Sequence, residues 1–125
     1  MLRQHLRNQQ SIHYTCNTLI SIHAIVSQVK HQTLKTTRLT SCLLIDEQTK
    51  SSAIEASLYN LKSNILADKI YNIQYVIYSP FPEPKFISSP FTKLEVVKDA
   101  PSIDLTQIVN RFNANSQSII RKCCN

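Results

Sequence analysis

The segment Leu43–Asn60, with the sequence LLIDEQTKSSAIEASLYN, has the pattern of two β-strands joined by a turn. In its second half, two sets of residues alternate strictly, and a period of two predicts a strand with one buried face. The apolar set is Ile54, Ala56 and Leu58, and the other set is Glu55, Ser57 and Tyr59. Tyr59 therefore ends the outer face, where burial does not explain an aromatic ring and a flat ligand could stack on it.

Similar runs on both sides of this segment predict a small sheet. Apolar and β-branched residues indicate five strands, at Leu19–Lys30, Leu39–Ile45, Ala53–Tyr59, Ile70–Tyr78 and Lys85–Lys98. Three prolines make Ser79–Pro84 a turn, and a bend is expected near Pro90.

The connection between the third and fourth strands, Asn60–Lys69, has the spacing of a short amphipathic helix. Leu61, Ile65 and Leu66 would form its buried stripe, and Asn60 would cap it. Five strands with one helix between the third and the fourth predict a mostly β fold, the five-stranded OB-fold barrel.

After Pro101 the pattern becomes helical. Leu105, Ile108, Val109 and Phe112 fall at i, i+3, i+4 and i+7. Such a stripe needs a partner surface, which is either the open end of the barrel or another subunit. We therefore expect a basic amino-terminal arm at 1–18, an OB-fold domain at 19–101 and a carboxy-terminal helical segment at 102–125, whose stripe is a candidate interface for a protein partner or a second copy.

The distribution of charge favours an anionic partner. The formal net charge is +6, and no acidic residue precedes Asp46. Basic residues and all four histidines lie in this acid-free part of the chain, so its surface suits a polyanion. For Arg3 and Arg7 a solvated basic tail is the favoured interpretation.

Composition also excludes several classes of site. Glycine is absent from the 125 residues, so a P-loop, a dinucleotide fingerprint or a nucleophile elbow cannot be written in its usual form. The four cysteines lack metal-ligand spacing, and adjacent Asp46 and Glu47 would point to opposite faces of a strand. We expect no enzyme, no cofactor and no metal. No apolar run is long enough for a membrane helix, so we expect a soluble intracellular protein.

What remains is a binding site for single-stranded nucleic acid, which needs aromatic faces for bases and cations for phosphates. Tyr59 and Phe86 are the candidate stacking rings. The candidate phosphate contacts are Lys30, Lys35, Arg38 and Lys85. This groove requires both rings on one outer side of the barrel. It does not exist if Tyr59 and Phe86 are buried in the interior or lie on opposite sides of the molecule.

The motifs together resemble a DNA-binding OB domain of the replication protein A large subunit. They are Ile45-Asp46-Glu47, Ile54–Asn60, Ile70-Tyr71, Lys85-Phe86 and Leu94-Glu95-Val96, and the match spans about Leu19 to Ile103. The resemblance implies that Tyr59 and Phe86 stack on bases, that the loop from His31 to Arg38 contacts phosphates and bases, and that Glu95 lies near the bases. The chain departs from the family in a longer, glycine-free turn after Glu47, in acidic Glu55, and in a first loop that lacks an aromatic residue.

The resemblance implies a nuclear protein that binds single-stranded DNA in replication, repair or telomere maintenance, with RNA as an alternative ligand. The rival hypothesis is an OB-fold assembly module that binds partner proteins through its carboxy-terminal helix and has little or no affinity for nucleic acid.

Overall fold

The computed structural model describes residues 18–113 and 118–123. Seven strands account for most of them: β1 (Leu19–Leu34), β2 (Thr37–Ile45), β3 (Ser52–Tyr59), β4 (Lys69–Ser79), β5 (Lys85–Asp99), β6 (Asn110–Arg111) and β7 (Ile120–Cys123). Within the described residues, a 3-10 turn covers Leu105–Gln107. All five predicted strands are present, each somewhat longer than the sequence pattern indicates.

The five long strands close into a barrel. β1 pairs antiparallel with β2 and β4, β2 with β3, and β4 with β5. The closing seam is parallel and short, since it joins Glu55–Ser57 of β3 to Lys85–Ile87 of β5. The resulting order, β1–β2–β3–β5–β4, is consistent with an OB fold, so the predicted mostly β, five-stranded barrel is confirmed.

The strict alternation in β3 appears as predicted. Ile54, Ala56 and Leu58 are buried in the barrel core, whereas Glu55 is exposed and Tyr59 retains 39% of its surface. Because cross-strand partners share a face, this alternation decides which residues of β2 and β5 point inward.

The predicted helix between β3 and β4 is wrong, because residues 60–68 form an irregular loop. Asn60 and Asp68 have positive φ values of 49° and 61°, which no right-handed helix allows. Both ends are bound to strands, since Asn60 N donates to Arg38 O and Asp68 N donates to Val26 O. A segment of this length is also too short for a stable isolated helix. Leu61 is nevertheless buried in the main core, as the helix would have placed it.

The predicted carboxy-terminal helix is also wrong, and no α-helix occurs within residues 18–113 and 118–123. After the 3-10 turn the chain becomes extended at Ile108, and the backbone N–H groups of Val109 and Asn110 donate to Ser51 O. Asn110 then starts β6, which pairs parallel with the beginning of β3. The edge of β3 therefore competes successfully for backbone hydrogen bonds that a helix would have used internally.

The four residues of the predicted interface stripe are separated by this path. Leu105 and Ile108 pack against a second apolar cluster on the outside of the barrel. Phe112 is buried in the main core, and Val109 is 74% exposed. The stripe is not a continuous surface, so the predicted helical partner interface is not formed.

Among the residues that the structure describes, positive φ values occur at Gln28, Lys35, Lys50, Asn60, Asp68 and Tyr75. In a chain without glycine, tight turns and bulges force ordinary side chains into this region at a cost of about 1 to 3 kcal/mol each. No helix of the described residues is long and apolar enough to cross a membrane. The predicted amino-terminal arm lies outside the described residues except for Thr18, and the division of the chain at residue 101 stays a prediction.

Candidate nucleic-acid interface

Three of the predicted contact residues share one outer face of the barrel. Tyr59 follows the outward alternation of β3, and Lys85 lies beside outward-facing Glu55 across the β3–β5 seam. Lys30 joins the same face through β2, because it is in register with Ser41. The structure therefore brings Lys30, Tyr59 and Lys85 to one side of the molecule.

Lys35 and Arg38 belong to the hairpin between β1 and β2, but their environments differ. Lys35 is exposed at the turn, with a φ of 55°. Arg38 fastens the hairpin to the β3–β4 loop, since its Nη2 donates to Leu61 O at 2.6 Å and its backbone N donates to Asn60 Oδ1 at 2.9 Å. The Arg38 guanidinium is thus partly engaged in holding the loop.

The prediction that Phe86 stacks on a base is wrong. Its side chain is fully buried, because it is the register partner of inward-facing Ala56. The ring packs against Tyr78 and Phe112, with centroid separations of 5.9 and 5.4 Å. The groove predicted between Tyr59 and Phe86 therefore does not exist.

Glu95 lies on the wall formed by β1, β4 and β5. Its Oε1 accepts a hydrogen bond from Asn72 Nδ2 at 3.0 Å. Asn72 Oδ1 contacts His23 Nδ1 at 2.7 Å, and His23 Nε2 contacts Glu47 Oε1 at 2.6 Å. Glu95 is part of this polar chain, and the structure does not place it beside Tyr59.

Tyr59 instead lines a cleft between the β3–β4 loop and the middle of β5. The cleft consists of two cavities of about 730 and 410 Å³, which share Leu61, Lys62, Pro90 and Thr92 in their walls. Tyr59 lines the smaller cavity, and Tyr75, Phe91 and Lys93 line the larger one. We call this pair of cavities the Tyr59 cleft.

Two of the three rings of the Tyr59 cleft, Tyr59 and Phe91, are exposed. Phe91 retains 65% of its surface, more than the 39% of Tyr59. The Lys93 ammonium lies 6.0 Å from the centroid of the Tyr75 ring, at the outer limit of a cation–π contact. This lysine therefore places a positive charge beside a half-buried aromatic ring.

The electrostatic character of the cleft is uniformly basic or neutral. Lys62 and Lys93 are its charged groups, and no described residue lining either cavity is acidic. The other polar wall residues are Asn60, Ser63, Ser88, Ser89 and Thr92. The Ser88 hydroxyl accepts a hydrogen bond from Tyr59 N, and the hydroxyls of Ser89 and Thr92 donate to Tyr75 O. The arrangement offers ring faces, cations and hydrogen-bonding groups to one ligand.

The sequence pattern missed Lys62, Tyr75 and Phe91 as site residues. Tyr75 lies within a β-branched strand, where an aromatic is ordinarily a core residue. The bend expected near Pro90 was the available signal for Phe91, because a residue that leaves strand pairing is free to point outward.

No family model matches the chain, and no curated protein matches it. Among solved structures, it is similar to a chain of a replication protein A heterotrimer bound to single-stranded DNA, with 19% sequence identity and a TM-score of 0.47. The similarity covers 74% of this chain and 24% of that chain, so the protein spans about a quarter of the neighbour's length.

Proposed function

We propose that the protein binds single-stranded nucleic acid in the Tyr59 cleft. The observation that carries this proposal is the convergence of three aromatic rings and two lysines, Tyr59, Tyr75, Phe91, Lys62 and Lys93, on two adjoining cavities without an acidic wall residue. The proposed role is binding without catalysis.

The rings account for the single-stranded form of the ligand. Bases in a duplex have their faces covered by neighbouring base pairs, whereas the bases of a single strand can stack on side chains. Tyr59 and Phe91 are exposed enough for such stacking. Because every base has an aromatic face, this mode gives little sequence preference.

The lysines account for the phosphates. Lys62 and Lys93 lie in the walls of the cleft, and Lys30 and Lys85 lie on the same outer face as Tyr59. A strand that leaves the cleft across this face would pass Lys30 or Lys85, and Lys35 would extend the contact to the tip of the hairpin. Glu55 interrupts the face beside Lys85 and repels phosphate, which favours moderate affinity, whereas the lysine contacts make binding dependent on salt.

The motif resemblance supports DNA as the preferred ligand, with RNA as the alternative. A nuclear location and a role in replication, repair or telomere maintenance stay predictions of that resemblance. Assembly through a carboxy-terminal helix is not proposed, since that helix does not form.

The test is fluorescence anisotropy with a labelled oligothymidylate of about 15 nucleotides, titrated at about 50 and 200 mM salt. We expect salt-sensitive binding that Phe91→Ala and Tyr59→Ala each weaken by about 1 to 3 kcal/mol, the range measured for stacking of one base. Lys93→Gln should lower the salt slope by about 0.7, the value for one phosphate of a single strand.

Two controls are available within the chain. Phe81 is 79% exposed and lines neither cavity of the cleft, so Phe81→Ala removes an equally accessible ring from elsewhere. Lys50 follows the turn after β2, at the opposite end of β3 from Tyr59, so Lys50→Gln removes a distant positive charge. If Phe81→Ala and Phe91→Ala reduce the affinity equally, the binding site is not in the Tyr59 cleft. Absence of binding at the lower salt concentration would refute the proposal.

A further inference from the structure

The residues Ser89–Thr92 leave the regular pairing of β4 and β5. Between two consecutive register pairs, β5 contributes these four residues, whereas β4 contributes only Tyr75. This is an enlarged β-bulge, and bulges often redirect a side chain next to a functional site. Tyr75 has a φ of 63°, which is rare for an aromatic residue and shows that the backbone of β4 also deviates here.

Two hydroxyl groups bind the same carbonyl at the centre of this bulge. Ser89 Oγ donates to Tyr75 O at 2.6 Å, and Thr92 Oγ1 donates to it at 2.9 Å. Each hydroxyl also accepts a backbone N–H, since Ser89 N donates to Thr92 Oγ1 at 2.8 Å and Phe91 N donates to Ser89 Oγ at 3.1 Å. The four hydrogen bonds connect the excursion to β4 and close it on itself.

The Phe91 side chain projects from the segment that this hydrogen-bond network holds. Its ring is 65% exposed, so burial contributes little to its position, and its backbone N–H is one of the four donors. Pro90 precedes it with a fixed φ, which further limits the backbone. A backbone that is fixed before the ligand arrives limits where the Phe91 ring can lie, so less conformational entropy is lost on binding than from a mobile segment.

We infer that Ser89 and Thr92 are positioning residues, which hold the Phe91 ring in the Tyr59 cleft in a conformation ready to stack on a base. The inference deepens the proposed function and rests on it. Neither hydroxyl has to touch the ligand for this role, because both act through the backbone of the excursion.

The test is a thermodynamic cycle with the combined change Ser89→Ala and Thr92→Val, which removes both hydroxyls. In the wild-type background we expect the affinity for the same oligothymidylate to fall about two- to tenfold, which corresponds to the cost of ordering one side chain. In the Phe91→Ala background the same combined change should alter affinity by less than about twofold, because the ring that it positions is absent.

This coupling separates positioning from a general structural role. Collapse of the bulge would disturb the remaining cleft residues and weaken binding equally in both backgrounds, and that result would overturn the inference. Thr106→Val is the matched control, since Thr106 Oγ1 donates to Asp104 in the 3-10 turn and lines neither cavity. It should leave affinity unchanged.

A second measurement needs no nucleic acid. Hydrogen exchange should show that the amides of Ser89 and Phe91 are protected in the wild type and lose protection in the combined variant, while the amides of β1 keep theirs. Unprotected amides in the wild type would overturn the inference. If the wild type binds no oligonucleotide, the proposed function fails, and the exchange result still decides whether the two hydroxyls hold Phe91.

Discussion

Replacement of Phe112 by alanine tests whether the carboxy-terminal segment belongs to the barrel core. Phe112 is 6% exposed, and its ring centroid lies 5.8 Å from that of Tyr78 and 5.4 Å from that of Phe86. Removal of a buried phenylalanine side chain costs about 3 to 5 kcal/mol, of which each lost aromatic pair accounts for about 0.5 to 1.5 kcal/mol beyond burial of area. A domain of this size is stable by about 5 to 15 kcal/mol in total, so Phe112→Ala should remove a large part of its stability.

The assay is equilibrium unfolding in urea. With an m-value of about 2 kcal/mol/M, a loss of about 3 to 5 kcal/mol lowers the midpoint by about 1.5 to 2.5 M. Phe112→Leu keeps an apolar side chain but loses both ring contacts, so its midpoint should lie between those of the wild type and Phe112→Ala. This intermediate variant keeps the comparison measurable if the alanine variant is unfolded without urea.

The control is three residues earlier in the sequence. Val109 is 74% exposed, and Val109→Ala should change stability by no more than about 0.5 kcal/mol. An exposed helical stripe would give a different pattern, with similarly small losses of stability at both positions in the monomer. If Phe112→Ala costs less than about 1 kcal/mol, the burial of Phe112 described above is refuted.

Two further predictions concern single residues. Burial raises the pKa of the Cys42 thiol to about 12, so the thiol is protonated and unreactive at pH 8. In a variant with serine at Cys16, Cys123 and Cys124, a disulfide reagent at pH 8 should therefore modify Cys42 only as fast as the protein unfolds. Prompt reaction would contradict this prediction. Since the folded state keeps this proton and the unfolded state releases it near pH 9, stability is full below pH 9 and should fall by up to about 1.4 kcal/mol per pH unit between pH 9 and about 12, as measured by urea unfolding. Lys35 has a φ of 55° at the turn between β1 and β2. Lys35→Gly should therefore relieve strain and raise the free energy of unfolding by about 0.5 to 1 kcal/mol. A lower urea midpoint would show that the turn is not strained.

The strands could be predicted because, in each of them, the spacing of the apolar residues and the content of β-branched residues both indicate a strand. In β3 the alternation decided both the element and its buried face, and Ile54, Ala56 and Leu58 lie where it put them. The order of the strands then limited the fold to few topologies, of which the OB barrel was one.

Both predicted helices are wrong because helical spacing carries no information about other hydrogen-bond partners of the same backbone. Leu61, Ile65 and Phe112 are buried, so their apolar character was interpreted correctly, but each is inserted from an irregular or extended segment. Local spacing cannot show that the edge of β3 is available to bind the backbone near Asn110, since that depends on where β5 begins in three dimensions.

The candidate site was predicted only in part. Tyr59 faces outward because the alternation of β3 is strict, whereas the side of Phe86 depended on its register with Ala56 across a parallel seam. Register between distant strands is not visible in the sequence of either one. The outward position of Phe91 depends on a bulge that is held by hydrogen bonds of Ser89 and Thr92. Serine and threonine also occur in ordinary strands and turns, so the sequence does not reveal this bulge.

One consequence of β6 concerns solubility. An unpaired strand edge can recruit strands of other molecules and lead to aggregation. β5 covers the edge of β3 only at Glu55–Ser57, and β6 covers the neighbouring positions Ser52 and Ala53. The two-residue strand thus protects a vulnerable edge from intermolecular pairing, and chains that end before Asn110 would expose these backbone groups to one another.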